Sequence, residues 1–121
     1  MSEHKALPAG GNLLVAGDKV YNTPVEVTLA VIGGKWKSLL VYHLIPEARR
    51  FSELKRLVPG ITEKMLTQQL RELERDGIVS RTVFAEVPPR VEYRLTEHGF
   101  SLKPVLDSMC AWGKCHWQQQ G

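Results

Sequence analysis

Phe51-Ser52-Glu53-Leu54-Lys55-Arg56-Leu57-Val58-Pro59-Gly60-Ile61-Thr62-Glu63-Lys64-Met65-Leu66-Thr67-Gln68-Gln69-Leu70-Arg71-Glu72-Leu73-Glu74-Arg75-Asp76-Gly77 is the stretch from which the fold can be read. In its first part Leu54, Leu57 and Val58 share one helical face, and Ser52 is placed to cap the first amides. Pro59-Gly60 then stops that helix. Thr62 is the next expected N-cap. Behind it Leu66, Leu70 and Leu73 recur at i, i+4 and i+7, so one stripe of a second helix should be buried. Gly77 suits the C′ position that ends it. The opposite face presents Glu63, Lys64, Thr67, Gln68, Arg71, Glu72 and Arg75, a set rich in groups that hydrogen-bond to base edges and phosphates.

Downstream of Gly77 the period changes from helical to extended. Ile78 to Phe84 and Val91 to Leu95 are two β-rich runs flanking Val87-Pro88-Pro89, so a hairpin is expected. Alternation in the second run sets Val91, Tyr93 and Leu95 on one face and Glu92 and Arg94 on the other, with Arg90 beside the tip. Two short helices across a tight turn, followed by a hairpin with a basic tip, form a winged helix-turn-helix. The expected class is therefore α+β, with a last helix added. Thr96-Glu97 opens that helix, in which Leu102, Val105, Leu106, Met109 and Trp112 recur at three- and four-residue steps. Pro104 should kink it or mark a restart near Ser101. A terminal helix with this much Leu, Met and Trp offers more apolar surface than a small domain hides, which favours homodimerisation through those five residues.

Upstream, Thr23 and Pro24 suit the N-cap and N1 positions of a helix carrying Val25, Leu29 and Ile32. Gly33-Gly34 breaks it. A second helix, from Lys35 to about Leu44, presents Trp36, Leu39, Leu40 and Leu44 before Pro46, and both helices should pack beneath the helix-turn-helix. Trp36 reads as core. Residues 1–22, with Pro8 and Gly10-Gly11, look like an arm outside the core, expected to be held against a partner subunit, with short extended contacts at 13–15 and 20–21. The expected domain runs from 23 to 117, leaving 118–121 as a tail.

The chain has 121 residues, 43% of them hydrophobic, which suits one globular domain with its own core. Its formal net charge is +3, by itself a weak pointer to a polyanionic partner. The location is more informative. Residues 35 to 98 hold 12 basic and 9 acidic side chains, whereas the remainder holds 4 of each, so the excess lies in the reading unit. No apolar run approaches the roughly 20 residues that span a bilayer, and the start lacks a signal peptide's apolar core, so no membrane partner is expected and the cytoplasm is the default location. Cys110 and Cys115, five residues apart on one helix, point about 140° away from each other and cannot pair within it. Buried inert thiols are the commoner outcome for such residues.

Candidate contacts with double-stranded DNA follow from chemistry. Gln68 suits adenine, Arg71 guanine and Thr67 a thymine methyl, while Thr62 and Lys64 stand at the positive end of the helix. Lys55, Arg56 and Arg90 are the expected phosphate clamps. Glu63 and Glu72 should turn aside, or pair with Lys64 or Arg75. No enzyme signature stands out: Gly33-Gly34-Lys35 lacks the spacing of a phosphate loop, and nothing orders Ser, His and acid residues into a triad. His98, Cys110, Cys115 and His116 lack metal-ligand spacing, so neither metal nor cofactor is expected. No ligand pocket declares itself, which leaves a small-molecule effector possible but unnamed. The rival reading is a winged-helix module that binds protein instead of DNA.

Several strings are also distinctive as such: Ile32-Gly33-Gly34-Lys35-Trp36-Lys37, Phe51-Ser52-Glu53-Leu54, Pro59-Gly60-Ile61-Thr62, Met65 to Glu74, and Tyr93-Arg94-Leu95-Thr96-Glu97-His98-Gly99. Together they resemble the HxlR family of bacterial transcription regulators, over roughly residues 24 to 112. The resemblance implies a homodimeric winged-helix DNA-binding protein whose terminal helices form the dimer and whose two recognition helices meet successive major grooves of a quasi-palindromic operator. Several members of that family resemble redox or electrophile sensors with a cysteine just before the proline of the first helix. Here Thr23 stands in that place, so a thiol switch of that kind is not implied.

Overall fold

The computed structural model describes residues 14–120, and the arm expected over 1–22 lies outside those residues as far as position 13. The chain begins with a small antiparallel hairpin, β1 (Leu14–Ala16) and β2 (Lys19–Tyr21), paired Leu14 to Tyr21. Helix α1 (Pro24–Ile32) follows. Thr23 caps it by a capping box: its hydroxyl accepts from the Glu26 amide, and the Glu26 carboxylate accepts from the Thr23 amide at 3.0 Å. Helix α2 spans Lys37–Leu44, two residues shorter than expected at its start, because Gly33 to Trp36 form the turn that leads into it.

The helix-turn-helix consists of α3 (Phe51–Leu57) and α4 (Glu63–Arg75). Ser52 is not the cap of α3. The helix starts one residue earlier, and the Arg50 amide donates to the Glu53 carboxylate at 2.8 Å, so an acid in the first turn replaces the expected hydroxyl. Just before it, Arg49–Arg50 forms a two-residue strand, β3, set against the wing. The wing strands are β4 (Val79–Phe84) and β5 (Arg90–Leu95), and the sheet order is β3-β5-β4, with Arg49 opposite Tyr93 and Val79 opposite Leu95. The expected last helix is divided into α5 (Glu97–Phe100) and α6 (Lys103–Gln120). Pro104 occupies the first turn of α6, where its missing amide costs nothing, so a restart resolves the proline instead of a kink.

The core lies between α2, α3, α4 and the sheet. Leu40, Val41, Leu44, Leu54, Val58, Ile61, Leu66, Leu70, Leu73, Ile78, Val79, Tyr93 and Leu95 are buried there, and Trp36 is half-buried against it. Helix α1 contributes less than expected. Only Ile32 is buried, while Val25 and Leu29 are exposed, because α1 lies against β2 and α2 at the margin of the core. Thr96 and Gly99 tie the wing to the helices. The Thr96 amide donates to the Ile78 carbonyl at 3.0 Å, and its hydroxyl accepts from the Gly99 amide at 2.9 Å. A Cβ on Gly99 would lie 2.2 Å from the Ile78 carbonyl oxygen, so only glycine permits that approach.

Candidate nucleic-acid interface

Helix α4 is fixed at both ends by its own sequence. At the start, the Thr62 hydroxyl accepts from the Met65 amide at 3.0 Å, with Thr62 itself extended, as an N-cap requires. At the end, Gly77 adopts φ 73°; the Ile78 amide donates to the Leu73 carbonyl at 2.9 Å and the Gly77 amide to Glu74 at 3.0 Å. This is a Schellman closure, and it turns the chain directly into β4. Between the two caps Leu66, Leu70 and Leu73 are buried, which fixes the rotation of the helix about its axis.

That rotation brings most of the candidate residues to one surface. Thr62, Lys64, Gln68 and Arg71 are exposed and Thr67 is half-buried. Glu63, Lys64, Thr67, Gln68, Arg71, Glu72 and Arg75 line a single open groove with Phe51, of about 690 Å³. A second hollow, between α4 and the sheet, is lined by Thr67, Arg71, Glu74, Arg81 and Tyr93. In α3, Arg56 is exposed and Lys55 half-buried, both in the last turn.

Arg90 lies beside the wing tip, at the first position of β5. Its guanidinium stacks on Phe84 at 4.2 Å and pairs with Glu86 at 3.5 Å and Glu92 at 3.6 Å. These contacts hold the Arg90 side chain against the wing. Arg94 also pairs with Glu92, at 3.4 Å. Arg81 is exposed and, among the described residues, in no ion pair, a wing cation that no local pattern singles out.

Glu72 pairs with neither Lys64 nor Arg75. Its Oε1 lies 2.6 Å from the ammonium of Lys37, a buried lysine of α2, and its Oε2 accepts from the Gln68 amide at 3.3 Å. The Lys37 hydrogen bond holds the Glu72 carboxyl below its ordinary range, against the opposing effect of burial; the charges of Lys37 and Arg75 and the Gln68 amide add to the lowering. The signal for Lys37 was a charge set among Trp36, Leu39 and Leu40, but its partner is 35 positions away.

The five residues expected at a dimer face divide between two environments. Val105, Met109 and Trp112 are exposed along α6 and, with Ser108, line one shallow apolar hollow. Leu106 is instead buried in its own subunit's core, and Leu102 is half-buried against it. Their task is to hold α6 to the body. Cys110 and Cys115 are exposed, not buried. Among the described residues no group of three His, Cys, Asp or Glu side chains is arranged to hold a metal, and no helix is long and apolar enough to cross a membrane.

The family model described as HxlR-like helix-turn-helix matches residues 31–121. YtcD of Bacillus subtilis (strain 168), named an HTH-type transcriptional regulator, is 60% identical over 98 residues, which cover 81% of this chain and 78% of YtcD. The crystal structure of ytcD superposes with a TM-score of 0.76 at 57% identity, covering 79% of this chain and 98% of that one. A structure named as redox regulator HypR in its oxidised form superposes with a TM-score of 0.74 at 57% identity, covering 77% of this chain and 96% of that one. The architecture is thus a winged helix-turn-helix with a C-terminal helix, and the biochemical class is DNA-binding transcription regulation, not enzymatic catalysis. With three quarters of its length matched by the family model, the chain belongs to the HxlR family of helix-turn-helix transcriptional regulators.

Proposed function

We propose that residues 23–117 act as a homodimer on duplex DNA, laying α4 of each subunit in the major groove of a quasi-palindromic operator, with the wing on flanking backbone or minor groove. The two-sidedness of α4 supports this: Leu66, Leu70 and Leu73 are buried, while Lys64, Gln68 and Arg71 face outward on a helix capped at both ends. Gln68 and Arg71 read base edges, Thr67 meets a thymine methyl, Thr62 and Lys64 meet phosphate or base at the positive helix end, and Lys55 and Arg56 hold the backbone. The apolar face of α6, with Trp112 and Met109 uncovered, supports the dimer, since patches of this kind mark interaction surfaces. Dimer geometry then sets the recognition helices about 34 Å apart.

Titration of a labelled duplex enriched from a randomised pool, beside a scrambled duplex, tests the reading. Arg71→Ala is expected to relax preference at one base pair. Lys55→Ala should weaken all duplexes alike and reduce the salt slope by about 1. If Arg71→Ala bound enriched and scrambled duplexes as the parent does, α4 would not be the reading helix.

A further inference from the structure

We propose that Lys37 and Glu72 set the base preference of Gln68, by fixing which end of its amide faces the groove, so that the chain selects an amino-bearing base, adenine or cytosine, at the position Gln68 reads. The inference rests on the reading of α4 as a DNA-recognition helix. It assigns Lys37 and Glu72 as positioning residues and Gln68 as the residue through which they act.

The chain of contacts runs from the interior outward. Lys37 is the one charged residue in the core among the described residues, 8% exposed, and it projects from α2 toward α4. Its ammonium takes one carboxylate oxygen of Glu72 at 2.6 Å, and the other oxygen takes the Gln68 side-chain nitrogen at 3.3 Å. An ionised carboxylate can only accept hydrogen bonds, and the ion pair with Lys37 fixes where the Glu72 oxygens sit. The NH₂ end of the Gln68 amide must therefore point along the helix toward Glu72. With one N–H held there the amide cannot turn over, so its carbonyl oxygen keeps a fixed place beside the remaining N–H at an exposed position.

In the major groove adenine N6 and cytosine N4 are donors, whereas guanine O6 and thymine O4 are acceptors. A carbonyl fixed in place therefore favours the amino bases over the keto bases. An untethered glutamine amide has no such bias, because it turns over freely to suit either. Lys37 has a second effect: by neutralising Glu72 it keeps a negative charge on the reading face from repelling the duplex.

The test is selection of duplexes from a randomised double-stranded pool by the full chain, with sequencing of the enriched fraction. Gln68→Ala identifies the position that Gln68 reads as the one whose preference goes flat. The parent is expected to favour adenine or cytosine there by about tenfold. Glu72→Gln keeps an acceptor for Lys37 but turns an NH₂ toward Gln68, which must then reverse its own amide; the preference at that position should move to guanine or thymine. Lys37→Met should bring that position toward parity while leaving the preference set by Arg71. Thermal melts establish that each variant is folded. A Glu72→Gln protein that kept the adenine or cytosine preference would overturn the inference and leave the DNA reading intact, as would a Lys37→Met protein that kept that preference in full. A parent that enriched no sequence at all would overturn both.

Discussion

The carboxyl of Glu72 is held below its ordinary value chiefly by the hydrogen bond from Lys37. The unfolded chain takes up that proton at a higher pH than the folded chain does, so the pair's contribution to stability is complete above the ordinary carboxylate pKa. It is lost as pH falls through the lower folded value. Chemical denaturation at a series of pH values from about 6 to about 3 should show the parent losing more stability than Glu72→Gln, whose side chain does not titrate; equal losses would mean that the pair does not act in solution. At this scale the sequence was legible where the interaction is local. Thr62 and Gly77 are caps, each bonded to atoms within five positions, and both were readable from residue type and spacing. At Ser52 residue type misleads, because the neighbouring Glu53 carboxylate takes the Arg50 amide at the start of the helix. The Lys37–Glu72 pair depends on how α2 crosses α4, which no local pattern encodes.

Helix α6 shows where periodicity ends as a guide. Leu102, Val105, Leu106, Met109 and Trp112 share one amphipathic spacing, but spacing does not say which of two bodies covers each residue. The structure places Leu106 in its own core and leaves Trp112 68% exposed. Leu106→Ala should therefore destabilise the subunit by about 2–5 kcal/mol in denaturant titration. Trp112→Glu should leave the fold of the subunit intact and shift sedimentation from dimer to monomer, whereas an unchanged dimer would place the interface elsewhere. Strand β3 was not legible, because two residues carry no alternation, and its pairing with β5 is a contact across more than forty positions. By contrast, Pro104 announced the break between α5 and α6 in the sequence itself.

For the molecule as a whole, the basic excess and the reading surface coincide, since residues 35–98 carry all of the net positive charge. Duplex affinity should accordingly fall steeply with ionic strength, by one logarithmic salt slope unit of about 0.9 per phosphate neutralised. An interface built on apolar protein contacts would show little such dependence. Within the wing, Arg90 and Arg94 both pair with Glu92. Dimethyl sulfate footprinting of an enriched duplex separates the two grooves directly, because guanine N7 is methylated from the major groove and adenine N3 from the minor groove. Protection of guanine N7 in two patches about 10 base pairs apart, lost on Arg71→Ala, is the predicted result. Guanine N7 left fully reactive under saturating protein, with protection confined to adenine N3, would contradict α4 as the helix in the major groove.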